Sequence, residues 1–193
     1  GLGLSEERLG AALGRFAVTG AKGYTGLPPI KIWTKVGRVI KLKTKVNKGK
    51  DEVEEANLAG APTCLFPDTP TDRAPVLDYT AKGVVTSHAD SLRRLSLGGV
   101  KVELHGIRLH DAETPSRIDD TLKAGGAIDG MVALKKAGSV QDVGLGMNNP
   151  RYIMQILREA PGTIDTVMMA GSWNLLNTSG YEVLMECQKQ GIE

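Results

Sequence analysis

The chain has 193 residues, of which 41% are apolar and 24% are charged, a balance that is typical of a globular protein and excludes disordered and collagen-like classes. The formal net charge of +2 is too small to predict a nucleic-acid groove or an anionic membrane surface as the main partner, so we expect a small-molecule ligand. Cys64 and Cys187 form no CxxC pair, which argues against a disulfide framework and against a metal site.

The sequence also predicts a cytoplasmic protein. Two cysteines far apart are typical of a reducing compartment. No apolar run approaches the ~20 residues that span a bilayer, and the first ten residues lack the basic start and the apolar stretch of a secretory signal.

The first part of the chain predicts a helix, a strand and a long excursion. Residues 5–16 have acids near their start and apolar residues at helical spacing, which indicates an amphipathic helix. Alternation over residues 30–36 predicts a strand that ends at Gly37. Residues 38–78 lose periodicity, and their lysine-rich stretch is followed at once by an acidic one, which is typical of a solvated loop. The alternative interpretation of this charged stretch is a rim that attracts a phosphate or a substrate. The loop itself is expected either to form a lid over the site or to lack a fixed structure.

From residue 80 onward, helices and strands alternate. The patterns predict helices over 80–97, 116–137, 150–160 and 180–190, and strands over 100–110, 139–146 and 163–171. Mostly apolar strands between helices indicate an α/β fold with a parallel sheet. No GxGxxG or GxxxxGKS motif follows a strand, so neither a Rossmann nor a P-loop site is predicted.

Polar residues follow four consecutive predicted strands at their carboxyl ends, where parallel α/β folds bind ligands. Each of these residues alone also fits an ordinary structural role, such as a solvated lysine or a hydrogen-bonded histidine. In chain order they are Lys35, His110 and Asp111, Asn148 and Asn149, and Ser172, Trp173 and Asn174.

The order of the motifs TKVGR, RLHDAE, LKKAGSVQDVGLGMNNPR, AGSWNLL and LMECQKQGI resembles the aldo-keto reductases over essentially the whole chain. Within that family it resembles the branch of D-threo-aldose, pyridoxal and L-galactose dehydrogenases. The resemblance implies a parallel (β/α)₈ barrel of the TIM type, of which residues 1–193 form one partial, central domain. It also implies NAD or NADP as cofactor and direct hydride transfer on a sugar-like or pyridoxal-like carbonyl or alcohol.

The same resemblance implies roles for the two catalytic candidates. Lys35 matches the family's catalytic lysine, whose charge lowers the pKa of a neighbouring tyrosine. His110 matches the histidine that orients the substrate carbonyl. His105 stands where many relatives have an aspartate, and we expect it to be a structural residue at the start of a strand.

Four residues match the family's cofactor-binding region. Asn148 or its neighbour Asn149 would hold the nicotinamide amide, because GLGMNN departs by about one residue from the commoner GxSN. Ser172 and Trp173 complete the predicted cofactor site. The family's strand-five glutamine falls near Ala170, so we expect that contact to be lost or replaced.

The resemblance further predicts that the chain is a fragment of a longer enzyme. The family's aspartate and proton-donating tyrosine precede the segment that residues 1–9 resemble, and two further strands follow the position of Glu193. Tyr24 and Tyr79 could replace the donor only by lying within about 3 Å of the substrate. The alternative is a truncated, non-catalytic remnant that acts through self-association or a protein partner, because an open barrel segment exposes strand edges.

Overall fold

The computed structural model describes residues 3–18, 30–58, 60–62, 64, 68 and 70–193. No helix within these ranges is long and apolar enough to cross a membrane. The helices and strands are, in chain order, α1 (Leu4–Val18), β1 (Trp33–Val36), β2 (Arg38–Leu42), β3 (Glu52–Val53), β4 (Arg73–Leu77), α2 (Ala81–Leu95), β5 (Gly106–His110), α3 (Pro115–Leu122), α4 (Ala127–Lys136), β6 (Asp142–Met147), α5 (Pro150–Glu159), β7 (Thr166–Met169) and α6 (Tyr181–Gln190).

The principal sheet has four parallel strands in the order β1-β5-β6-β7. Because side chains alternate along a strand, one face of this sheet is mostly apolar, with Thr34 as its polar member, and the other is not. The parallel sheet with its helices confirms the predicted α/β class and is consistent with part of a barrel. The fully buried residues of the mostly apolar face are Val36, Ile107, Leu109, Val143, Leu145 and Met147.

The other face of the principal sheet carries polar and small residues in register. Lys35 of β1 is paired with Arg108 of β5, which is paired in turn with Gly144 of β6. One pleat further along, His110 is paired with Gly146. Since paired residues of parallel strands lie on the same face, the sheet presents its charged side chains together.

The prediction of a loop over residues 38–78 is wrong, because this excursion contains a three-stranded antiparallel sheet in the order β2-β4-β3. The strand β2 was not predicted because its sequence is rich in lysine, although its Val39 is buried. The middle strand β4 was not predicted because it contains Pro75. The carbonyl of Pro75 accepts a hydrogen bond from Glu54 of the β3 side at 2.9 Å. The N–H that proline lacks would have pointed the same way, so the β2–β4 ladder loses no bond.

Two other predicted elements differ in extent. The helix predicted over 116–137 is two helices, α3 and α4, separated at Gly125, whose φ of +75° is the left-handed conformation that glycine adopts readily. The strand predicted from residue 100 begins only at Gly106. Val102 and Leu104 are buried and alternate with exposed neighbours, which is why the preceding segment has the pattern of a strand.

Candidate active site

The carboxyl ends of β1 and β5 form one side of a cleft of about 740 Å³. Both catalytic candidates line it, Lys35 from β1 and His110 from the end of β5. The antiparallel sheet contributes Arg38, and Glu54 lies just after β3. The structure thus brings together the two residues that the sequence predicts as catalytic, and it adds charged partners from the excursion.

The carboxyl ends of β1 and β5 and the loops that follow them form the rim of the cleft. Asp111, directly after β5, contacts three other residues of this rim. Its carboxylate accepts hydrogen bonds from the Arg38 guanidinium at 3.2 Å and from Nδ2 of Asn148 at 3.1 Å. Its Oδ2 also lies 2.9 Å from Nδ1 of His110, outside good hydrogen-bond angles. With a φ of +48°, Asp111 is the one non-glycine residue of the described chain with a left-handed backbone, a strained conformation of the kind that concentrates at functional sites.

Arg38 joins the antiparallel sheet to the rim through Asp111, and it is itself paired with Glu54. Nε of Arg38 donates to Oε2 of Glu54 at 2.7 Å, and Asn57 donates to the same oxygen at 2.8 Å. Burial acts to raise the pKa of Glu54, but the hydrogen bonds from Arg38 and Asn57 and the Arg38 charge outweigh it, so the pKa is lowered. The pair therefore stays ionised at neutral pH.

Tyr79 stabilises the backbone of the rim, and its hydroxyl is not free to donate a proton to a substrate. Its hydroxyl lies 2.9 Å from the carbonyl oxygen of His110 and 3.0 Å from that of Asp111, and it donates its proton to these two acceptors. Burial raises the pKa of Tyr79 to about 12. The hydroxyl is thus engaged with the backbone, whereas the other tyrosine considered from the sequence, Tyr24, lies outside the described residues.

Lys35 reaches the cleft with its ammonium accessible to solvent. Partial burial lowers the pKa of Lys35, and the nearby charges of Arg38 and Arg108 lower it further, while Asp111 opposes them. In the described part of the chain no acceptor hydrogen-bonds to this ammonium. Lys35 is therefore a cation near one carboxylate and two arginines, with its ammonium available to a ligand or to a phenol beside it.

The two asparagines after β6 have different contacts. Oδ1 of Asn149 caps helix α5 by accepting from the backbone N–H of Arg151 at 3.0 Å. The backbone N–H groups of both asparagines donate to one carboxylate oxygen of Glu113, at 2.9 Å in the case of Asn149. Both asparagines are exposed, and in the side chain of Asn148 only Nδ2 makes a hydrogen bond with a described residue, Asp111.

The loop after β7 is joined to the loop after β6. The buried Ser172 donates its hydroxyl proton to the carbonyl of Asn148 at 2.5 Å. Trp173 is 48% exposed, and its ring lies tilted against that of Tyr181 with centroids 6.1 Å apart. These contacts place the four predicted cofactor-binding residues in two adjoining loops, beside the cleft lined by Lys35 and His110.

His105 lies at the opposite end of β5 from this rim. Its ring packs edge-on against Trp33, with centroids 5.6 Å apart, and its Nε2 lies 2.9 Å from Asp142. These contacts are structural, as the sequence predicts for this histidine.

Two members of the rim, Arg38 and Glu54, were not predicted from the sequence as partners of the site. Both belong to the segment that was interpreted as a loop. Tyr79 was considered from the sequence, but only as a substitute proton donor. The available signal was the position of Arg38, directly after the glycine that ends β1.

No protein-family model matches the chain. Two curated proteins are similar to it. Pyridoxal 4-dehydrogenase from Microbacterium luteolum is 32% identical over 124 residues, which cover 61% of this chain and 34% of that protein. D-threo-aldose 1-dehydrogenase from a Pseudomonas species is 29% identical over 188 residues, covering 97% of this chain and 49% of that protein. The chain therefore spans half or less of the length of these relatives.

Solved structures show the same fold. An aldo-keto reductase from Bacillus halodurans, determined in its holo form, superposes with a TM-score of 0.61 at 21% identity, over 99% of this chain and 47% of that one. A glycerol dehydrogenase from Gluconobacter oxydans gives a TM-score of 0.56 at 20% identity, over 98% of this chain and 43% of that one. Together these findings confirm the resemblance predicted from the sequence: the chain is similar to the aldo-keto reductases in sequence and shares their fold over part of their length.

Proposed function

We propose that the complete gene product containing this chain is an NAD(P)-dependent oxidoreductase. It would interconvert a carbonyl and an alcohol on a small sugar-like or pyridoxal-like substrate by direct hydride transfer. The observation that carries the proposal is that Lys35 and His110, from neighbouring parallel strands, line one cleft at the carboxyl ends of those strands. The names of the relatives support an enzyme and do not favour a non-catalytic remnant. The proposal includes a cytoplasmic location and a single partial-barrel domain over residues 1–193.

The residues present fit a nicotinamide ring beside this cleft. Oδ1 of Asn148 is exposed and accepts no hydrogen bond from the described residues, so it can accept from a carboxamide. Trp173 offers an accessible aromatic face on which a flat ring can stack. Ser172 and Asn149 keep the two loops in place through their backbone contacts. When bound, the nicotinamide supplies or accepts the hydride.

His110 would orient the substrate carbonyl. Nδ1 of His110 is buried, makes no hydrogen bond with the described residues and lies 2.9 Å from the Asp111 carboxylate. With a proton on Nε2, the ring can donate to a carbonyl oxygen in the cleft, where negative charge develops as the hydride arrives.

Lys35 would act by its positive charge. An ammonium beside a proton-donating phenol stabilises the phenolate and so lowers the pKa of that phenol. No carboxylate of the described chain forms an ion pair with Lys35, and the charge of the nearby Asp111 favours the protonated form of the lysine. Tyr79 is not that phenol, since its hydroxyl is buried and already donates to the backbone.

The test is a turnover assay of the complete gene product with pyridoxal and with D-threo-aldoses, using NAD and NADP in turn. We expect oxidation or reduction that requires the cofactor. The His110→Gln variant should lose about 10²-fold or more in kcat, the usual effect of removing an acid–base or orienting group. His105→Gln, directly before the start of the same strand and outside the cleft, is the matched control and should retain turnover. Absence of turnover in the wild type with every pair would overturn the proposal.

A further inference from the structure

Asn148, an exposed residue of the loop between β6 and α5, is held by hydrogen bonds at its backbone and at its side chain. The Glu113 carboxylate accepts from its backbone N–H, and the Asp111 carboxylate accepts from its Nδ2 at 3.1 Å. Its backbone carbonyl accepts the hydroxyl proton of Ser172 at 2.5 Å. Fixing an exposed side chain costs conformational entropy, so a residue held this completely calls for an explanation.

Helix capping does not explain the order of Asn148. An asparagine ahead of a helix commonly caps it, but the cap of α5 is Asn149, whose Oδ1 accepts from the N–H of Arg151 at 3.0 Å. Oδ1 of Asn148 accepts no hydrogen bond from any described residue. Because an ionised carboxylate can only accept, the contact with Asp111 keeps Nδ2 turned towards that carboxylate and leaves Oδ1 as the free atom.

Glu113 lies in the turn between β5 and α3 and holds the loop that follows the neighbouring strand β6. One of its carboxylate oxygens accepts from the backbone N–H groups of both Asn148 and Asn149, at 2.9 Å from the latter. No lysine or arginine of the described chain forms an ion pair with Glu113. Its own N–H donates to the carbonyl of Asp111 at 2.8 Å. The two acids therefore belong to one turn and hold Asn148 together.

We propose that Glu113 and Asp111 are positioning residues for the nicotinamide and that both act through Asn148. Glu113 fixes the backbone of the loop, and Asp111 fixes the side-chain amide, so that Oδ1 is presented as a single acceptor to a carboxamide N–H. An acceptor that is ordered before the ligand arrives loses less rotamer freedom on binding, which raises the affinity. This inference rests on the proposed function. Because Asp111 also contacts Arg38 and lies 2.9 Å from Nδ1 of His110, Glu113 is the member to vary.

The first test uses the complete gene product without cofactor. Hydrogen exchange, measured by mass spectrometry, follows a peptide that contains residues 147–150. In Glu113→Ala the backbone amides of Asn148 and Asn149 lose their acceptor, so we expect them to exchange faster than in the wild type. Glu113→Gln retains an acceptor oxygen and should recover part of the protection.

The second test is a calorimetric titration of the same proteins with NAD and with NADP. Glu113→Ala should raise the cofactor Kd about three- to tenfold, the usual effect of one side chain that must be ordered on binding, and Glu113→Gln should recover part of the loss. Asp129→Ala is the matched control, because Oδ2 of Asp129 accepts from the backbone N–H of Gly125 at 2.7 Å, ahead of α4 and away from the two loops. Its Kd should stay within twofold of the wild type.

The double variant separates positioning from a general loss of structure. If Glu113 acts through Asn148, adding Glu113→Ala to Asn148→Ala should change the cofactor Kd by less than twofold, whereas independent effects multiply. If Glu113→Ala does not fold, Glu113→Asp takes its place, since its carboxylate is one methylene too short to reach the loop.

Three results would overturn this inference and leave the proposed function standing: unchanged exchange at residues 147–150, an unchanged cofactor Kd in Glu113→Ala, or effects that multiply in the double variant. A wild-type protein that binds neither NAD nor NADP would instead overturn the proposed function, and this inference with it.

Discussion

Tyr79 holds Asp111 by a hydrogen bond of 3.0 Å from its buried hydroxyl to the Asp111 carbonyl. The bond is made to the one residue of the described chain that adopts a left-handed conformation without being glycine. The same hydroxyl lies 2.9 Å from the carbonyl of His110. A residue next to the start of α2 therefore fixes the backbone that presents the catalytic candidate His110 to the cleft.

Removing this hydroxyl should destabilise the protein. Tyr79→Phe leaves two buried carbonyl oxygens short of a donor, and we expect the free energy of unfolding to fall by about 1–3 kcal/mol. Urea denaturation measures the change. Tyr152→Phe is the matched control, since its hydroxyl makes no hydrogen bond within the described residues, and it should change the stability by less than about 0.5 kcal/mol. Equal effects of the two variants would contradict the role given to Tyr79.

The contact between Gly37 and Tyr79 predicts a second loss of stability. Gly37 has a φ of +105°, and a Cβ there would lie 2.8 Å from the Tyr79 ring. Gly37→Ala should therefore cost about 1–3 kcal/mol of backbone strain plus the cost of moving the ring. Gly138→Ala is the control, because Gly138 also has a positive φ but open space around it. The variant at position 37 should have the lower melting temperature, and the reverse order would be inconsistent with this packing.

The ion pair between Arg38 and Glu54 predicts a dependence of stability on acid. The folded state lowers the pKa of Glu54 below its ordinary value of 4.5, so the unfolded chain takes up the proton first as the pH falls. The stabilisation is therefore complete above about pH 4.5 and is lost as the pH falls towards the folded pKa. Glu54→Gln should remove this part of the acid sensitivity, measured as the difference between the two unfolding curves from pH 6 to about pH 3.

His88 of α2 predicts a dependence nearer to neutral pH. Burial lowers its pKa below the ordinary 6.5, against the effect of a backbone hydrogen bond with Ser139. The folded protein holds the neutral ring, so below pH 6.5 the unfolded state gains protons and stability falls, with a slope of at most about 1.4 kcal/mol per pH unit. His88→Gln should flatten the unfolding free energy between about pH 6.5 and 5. An unchanged slope would show that another group is responsible.

The sequence predicts the part of the fold that depends on local pattern. The apolar strands β5, β6 and β7 and the helices between them each have a recognisable hydrophobic period. The carboxyl ends of β1 and β5 give the positions of Lys35 and His110. The resemblance to the aldo-keto reductases is also visible in the sequence, because the motifs that carry it follow one another along the chain.

The sequence does not predict contacts that are distant along the chain. The strand β2 is dense in lysines, β3 has two residues, and β4 contains Pro75, so none of them has a clear period. These strands are stabilised by pairing with one another. They are joined to the rim by the hydrogen bond from Arg38 to Asp111, two residues that are 73 positions apart in the sequence. The break between α3 and α4 similarly depends on a single glycine conformation.

The most direct test of the proposed centre is a single-turnover measurement of hydride transfer in the complete gene product with Lys35→Met, together with the cofactor dissociation constant. We predict that the rate constant falls about 10²–10⁴-fold, while cofactor affinity stays within about threefold, because Lys35 acts on the proton donor and not on the nicotinamide. Lys101→Met, which removes an exposed lysine outside the cleft, should change neither quantity. An unchanged rate constant with Lys35→Met would contradict the assignment of this cleft as the catalytic centre.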